Sequence, residues 1–143
     1  MSLFHDGITL ESINRLSRNT MVEHLGIEFT ALGPDYLSAR MPVDARTHQP
    51  YGLLHGGASV SLAETLGSVA AHCCINNEKQ YCVGIEINAN HIKSVRSGFV
   101  TGTAKPIHIG KRTQVWEIRI ENEQAELVCV SRITMAIIDK QGV

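Results

Sequence analysis

One carboxylate stands inside a stretch that otherwise reads as core: Gly52 to His72, GLLHGGASVSLAETLGSVAAH. At about 100° per residue, Ser61, Glu64 and Ser68 fall on one stripe of a helix, with His72 near its end. A buried carboxylate without a partner is costly, so Glu64 must be paired, protonated or in use. In use, its oxygen attacks an electrophilic carbonyl or takes a proton from water. The plainer alternative is a structural carboxylate held by its serines or by a neighbouring chain.

The start of the same helix is a second candidate. His55, Gly56 and Gly57 precede Ala58, so free backbone N–H groups and the positive end of the helix dipole point outward together. Such donors suit a developing oxyanion, and glycine lets a ligand come close. A glycine-rich turn without function explains HGG equally well. His91, in EINANHIKSV, is the third. If the alternation from Val83 is unbroken, His91 shares the helix-facing side with Ile85, Ile87 and Ala89; a bulge would reverse it.

Spacing adds a constraint. Gly56 and Glu64 are separated by about 12 Å on one helix at ~1.5 Å per residue. They cannot both touch one reacting carbonyl. If both act, they come from two chains, with the helices antiparallel across a two-fold axis. The expectation is a homodimer with two composite sites.

The elements that would hold these residues follow from the pattern. TLESINRLSRNTMVEHLG reads as helix, with Thr9 as N-cap, Leu10, Ile13 and Leu16 at helical spacing, a restart near Asn19 and a stop at Gly26. Residues 26–33 and 36–43 read as strands joined at Gly33-Pro34-Asp35, with Leu37, Ala39 and Met41 alternating with Ser38 and Arg40. After the irregular DARTHQPYGLLHGG comes a helix from Gly56 to Ile75, then four strand-like runs. Short loops predict an antiparallel meander. The helix is small or apolar almost all round, so it must be covered on most sides. The expected fold class is α+β: about six antiparallel strands curled around one long helix.

Composition narrows the rest. The 143 residues suit one domain over 1–143, and 43% hydrophobic with 19% charged content suits an ordinary core. A net charge of −1 argues against a nucleic-acid partner. No apolar run reaches membrane length, and MSLFHDGITLE lacks a signal core, which predicts a cytoplasmic protein without membrane association. Cys73, Cys74, Cys82 and Cys129 form no C-x-x-C pair and read as reduced, buried thiols. The histidines show no metal-ligand spacing, so no metal is expected.

Three segments, QPYGLLHGGASVSLAETLGSVA, GIEINANHIKSVRSG and GKRTQVWEIRI, resemble the hotdog-fold acyl-CoA thioesterases. The branch is the one that contains the phenylacetate-pathway enzymes. Within it the likeness is greatest to the hydrolases that cleave 1,4-dihydroxy-2-naphthoyl-CoA in menaquinone synthesis and to the proofreading thioesterases of enterobactin synthesis. The resemblance spans about residues 8 to 138, and H-G-G-(x)6-E is its diagnostic part. It implies a long helix wrapped by an antiparallel sheet, paired protomers sharing one continuous sheet, and commonly a dimer of dimers. It implies that Glu64 is the catalytic nucleophile or general base. The Gly56 N–H would polarise the thioester carbonyl, with Gln49 and His55 helping to place it, and Ser68 would orient water or the carboxylate. His91 matches a pocket histidine. Tyr51 stands where close relatives often carry phenylalanine, beside the acyl group.

The implied reaction is hydrolysis of an acyl-CoA, aromatic in this branch, to free acid and CoA. An acyl or aryl carrier-protein thioester is the alternative substrate. The reaction needs no metal or redox cofactor, because a thioester is electrophilic and an alkyl thiol is a tolerable leaving group. The CoA phosphates call for cations, and Lys93, Arg96, Lys111 and Arg112 are the candidates; a solvated hairpin tip accounts for the last two as well. Two rival classes remain at this point. A hotdog domain can bind acyl-CoA without cleaving it, which the position of Glu64 opposes. A hotdog dehydratase or hydratase pairs a histidine with a carboxylate, and His55 and Glu64 do not exclude that.

Overall fold

The structure is a computed structural model and describes residues 1–142. The N-terminal helical region divides as Asn19 predicted. Helix α1 spans Leu10–Leu16 and α2 spans Met21–His24. Thr9 caps α1 by accepting from the Ser12 N–H while Ser12 Oγ accepts from the Thr9 N–H. Asn19, with φ of 59°, breaks the chain between the two helices, and Gly26, with φ of 74°, ends the second. Ile13 is buried and Leu10 packs against the core, but Leu16 turns out to solvent.

Six strands follow the expected run: β1 (Glu28–Leu32), β2 (Leu37–Pro42), β3 (Gln80–His91), β4 (Phe99–Ile109), β5 (Thr113–Glu121) and β6 (Leu127–Asp139). Between β2 and β3 lies α3 (Gly56–His72). It stops one turn before the expected end at Ile75, because Cys73 closes the last turn through its N–H to Val69 O. All strand pairs are antiparallel, in the order β1-β2-β4-β5-β6-β3.

That order corrects the simple meander. Only β4, β5 and β6 are sequential neighbours beyond the β1–β2 hairpin. The reason is α3, whose 17 residues reach about 25 Å at ~1.5 Å each. It carries the chain across one face of the sheet, so β3 starts at the far edge beside β6 while β4 returns to β2. β3 has no second strand partner among the described residues.

The face packed against α3 supplies the core. Leu37, Ala39 and Met41 alternate inward as the pattern predicts, and Val100, Ala104, Trp116, Ile118, Ile120 and Ile133 join them. Against these α3 presents Leu62, Ala63, Leu66 and Ala70, all fully buried. Close approach depends on glycine. A Cβ at Gly67 would collide with Ile133 Cγ2, on a branched side chain held in the middle of the core. Gly67→Ala is therefore expected to destabilise the protein by about 1–3 kcal/mol through overpacking. Chemical denaturation would show it; a midpoint equal to wild type would mean that Ile133 is free to move.

The helix is not covered on most sides in one protomer. Val60, Ser61, Glu64, Thr65, Ser68 and Val69 remain only partly buried, forming an open face along α3.

Candidate active site

The segment between β2 and α3 is irregular but tied down. Buried Thr47 donates through Oγ1 to Pro42 O at 2.8 Å, and its own carbonyl accepts from the His55 N–H at 2.8 Å. The Leu54 N–H reaches Val95 O at 2.8 Å, and a turn through Gly52, with φ of 76°, lets the Gln49 N–H reach Leu53 O at 2.7 Å. These bonds deliver His55 to the N-cap of α3 in extended geometry.

The first turn of α3 then resolves its N–H groups one by one. His55 Nδ1 accepts from the Gly57 N–H at 2.7 Å, and His55 O accepts from Ala58 and Ser59. Gly56 is left: its N–H has no acceptor among the described residues. A free amide at the positive end of a 17-residue helix is a ready donor to an anionic oxygen. Because His55 Nδ1 accepts, a neutral ring carries its proton on Nε2. His55 is thus the cap that leaves Gly56 as the open donor.

Gly56 opens into a cleft of about 310 Å³ that also takes in Gln49, Leu54, His91, Ile92 and Lys93. His91 arrives at the end of β3. A bulge does interrupt that strand: Gly84 pairs with Met135 and Glu86 with Thr134, so Ile85 is the extra residue. The helix-facing set is Cys82, Ile87 and Ala89, which pack against the core, while Ile85 is 60% exposed. The bulge lies before Ile87, so His91 keeps its expected side. Its Nε2 would sit 2.8 Å from a Cβ at Gly56, a contact only glycine permits without moving the ring.

Glu64 occupies a different cavity, of about 350 Å³, with Ser61, Thr65, Ser68 and Val69 of α3 and with Met21 and Val22 of α2. Neither serine of its stripe bonds it. Ser61 Oγ donates to Gly57 O at 2.9 Å, and Ser68 Oγ is directed at Met135 Sδ at 3.8 Å. This removes the structural reading in which the serines hold the carboxylate within the chain. Gly84 lies beneath it, where an added Cβ would be 3.3 Å from Glu64 Oε1. That contact was not anticipated, although a lone glycine in CVGIEI is the usual sign of a bulge or a close approach. One chain therefore holds an oxyanion-type donor and a free carboxylate in two separate cavities. Glu64 lies over β3, one of the two edge strands, which has no second strand partner among the described residues.

Residues 51–129, more than half of the chain, match the thioesterase superfamily. The chain is a hotdog-fold thioesterase. It is 55% identical over 131 residues to the 1,4-dihydroxy-2-naphthoyl-CoA hydrolase of Escherichia coli, covering 92% of this chain and 96% of that one. It is 53% identical over 130 residues to the proofreading thioesterase EntH of Cronobacter turicensis, covering 91% and 94% respectively. A thioesterase of Pseudomonas aeruginosa, crystallised as its Q49A variant, superposes with a TM-score of 0.95 at 47% identity, over 97% of this chain and all 100% of that one. Both the expected fold and thioester hydrolysis are thereby established.

The other polar residues of the thioesterase are distributed as follows. Gln49 Oε1 accepts from the Tyr51 N–H, which orients the side chain at the cleft. Tyr51 is 85% exposed, and the apolar lining near Gly56 in one protomer comes from Leu53, Leu54, Ile92 and Val128. Lys93 is ion-paired to Glu126, and this hydrogen bond, with a second from Asn122, holds the Glu126 carboxyl below its ordinary range. Arg96 lines a neighbouring recess, and Lys111 and Arg112 line a cavity of about 400 Å³ at the β4–β5 turn, next to Cys74 and Asp139. Arg96, Lys111 and Arg112 make no ion pair among the described residues.

Burial pushes the Cys73 thiol up to about 11 and that of Cys74 to about 12, with neighbouring thiols adding to it; Cys82 and Cys129 are raised by burial as well. Thiols so raised are poor nucleophiles at neutral pH. His72, at the far end of α3, is pushed down by burial and by Lys140, which favours its neutral form. No cluster of three or more metal-ligating side chains occurs among the described residues, and no described helix is long and apolar enough to cross a membrane.

Proposed function

We propose that the substrate is an aromatic acyl-CoA, and that Glu64 of one protomer acts on a carbonyl held at Gly56 of its partner. The observation that carries this reading is that a free N–H and a carboxylate with no hydrogen bond among the described residues, held about 12 Å apart along one helix, open into two different cavities. Two protomers paired through the open edge of β3, with their α3 helices antiparallel, would close the gap twice. Such pairing would also cover the open face of α3.

In each site the Gly56 N–H would donate to the carbonyl oxygen as it becomes an oxyanion. Glu64 would either attack the carbonyl carbon or take a proton from the attacking water. In the general-base route water adds to the carbonyl carbon and the C–S bond breaks to give the acid; in the nucleophilic route the C–S bond breaks as a mixed anhydride forms on Glu64, which water then hydrolyses to the acid and free Glu64. In both the CoA sulfur leaves as thiolate and takes up a proton. Gln49 and His91 would position the thioester beside Gly56. Ser68 would face the acyl group from the wall of the Glu64 cavity. Arg96, Lys111 and Arg112 are the cations open to the CoA phosphates; Lys93 would first have to leave Glu126. No cofactor enters these steps. A homodimer is the smallest complete unit, and a dimer of dimers is compatible with it.

Support for an aromatic acyl group comes from the apolar cleft beside Gly56 and from the 55% identity to a protein named as a naphthoyl-CoA hydrolase. The comparable identity to EntH keeps a carrier-protein thioester as the second reading. A kcat/KM panel separates them: dihydroxynaphthoyl-CoA, benzoyl-CoA, a medium-chain acyl-CoA and an aryl carrier-protein thioester. Aromatic CoA esters should exceed the medium-chain ester by on the order of tenfold or more. Preference for the carrier-protein substrate would move the assignment to proofreading, and preference for the alkyl ester would remove the aromatic reading.

A further inference from the structure

The walls of the Glu64 cavity differ in how firmly they are held. Val60, Ser61, Thr65, Ser68 and Val69 belong to α3, whose axis is pinned by the fully buried Leu62, Ala63, Leu66 and Ala70 on its other side. Met21 and Val22 belong to α2, a helix of 4 residues with no fully buried side chain. Thr20, its N-cap, gives it no side-chain cap bond; the Thr20 hydroxyl donates backward to Ser17 O at 2.6 Å. Val22 packs against the edge of the core and anchors the segment. Met21 stands at the cavity with 59% of its surface exposed.

A carbonyl under attack by Glu64 must come within about 3–3.5 Å of its oxygen, so the attached acyl group has to lie next to this cavity. The adjustable wall there is the Met21 side chain, unbranched, polarizable and suited to the edge of an aromatic ring. We propose that Met21 is a specificity-determining residue that limits the size of the acyl group accepted beside Glu64. The assignment rests on the reading of Glu64 as the group that acts on the thioester.

The test compares Met21→Trp and Met21→Ala with wild type, each as the full chain, on dihydroxynaphthoyl-CoA and butyryl-CoA. Tryptophan should lower the ratio of kcat/KM for the large over the small substrate by about tenfold or more, mainly through KM. Alanine should leave that ratio equal or raise it. Thermal midpoints should match wild type, because Met21 carries little of the core, so a shifted ratio reports on the cavity and not on folding. A ratio unchanged in both variants overturns the assignment. Glu64→Gln run in parallel keeps the two claims apart. An unchanged ratio sinks the Met21 assignment whatever Glu64 does, and an active Glu64→Gln sinks the catalytic reading whatever Met21 does.

Discussion

Glu64→Gln is expected to fold as wild type, bind thioester substrate and lose on the order of 10³-fold in kcat, the range for removing a positioned general base or nucleophile. The amide is nearly isosteric with the carboxylate. It breaks no hydrogen bond, since neither Ser61 nor Ser68 bonds Glu64 within the chain. Its thermal midpoint should therefore stay close to wild type. A structural carboxylate would give the opposite pair of results: lowered stability and largely retained turnover. Stopped-assay detection of free CoA thiol together with a melting curve distinguishes them. Retention of more than about a tenth of the wild-type kcat would remove Glu64 from the chemistry, being too small a loss for such a group.

The second large effect concerns Gly56. Proline at the first helical position is well tolerated, and it deletes the N–H that has no acceptor there. His55, with φ of −67° and ψ of 131°, already has the backbone a residue before proline prefers. Gly56→Pro should lower kcat by about 10²–10³-fold, the usual cost of one oxyanion donor. Gly56→Ala is the control: it keeps the N–H and only presses on the tip of the His91 ring, so it should lose much less.

Mixing then tests the shared site. A heterodimer of Gly56→Pro and Glu64→Ala chains holds one doubly defective site and one intact site. Purified as the mixed species through two affinity tags, it should recover about half the wild-type activity per dimer, as two-fold symmetry requires. A mixed dimer as inactive as its parents would place both residues' work within one chain, and the composite site would be abandoned.

Most of the scaffold could be read from local chemistry. The Thr9 cap, the break at Asn19, the stop at Gly26 and the inward alternation of Leu37, Ala39 and Met41 each depend on neighbours within a few residues. Gly56 and Glu64 were legible for the same reason, since helical spacing alone places them two turns apart. Strand order was not. Whether β3 lies beside β4 or at the far edge depends on the path of α3 across the sheet, a long-range choice that short loops do not encode.

Side-chain partners were a matter for tertiary structure as well. The sequence marked Ser61, Glu64 and Ser68 as a stripe; Ser61 bonds back to Gly57 O one turn earlier in its own helix, but only packing against β6 turned Ser68 toward Met135, and no hydrogen bond reaches the carboxylate among the described residues. The bulge at Ile85 is another such case: Gly84 hints at an irregularity in β3, but where the extra residue falls depends on register against β6. The chain's order of residues thus determined which groups could do chemistry and how far apart one helix must hold them. The fold alone decided which are already engaged and which remain free. Spacing along a helix is a local property of the backbone, whereas hydrogen-bond satisfaction is a property of everything packed around it.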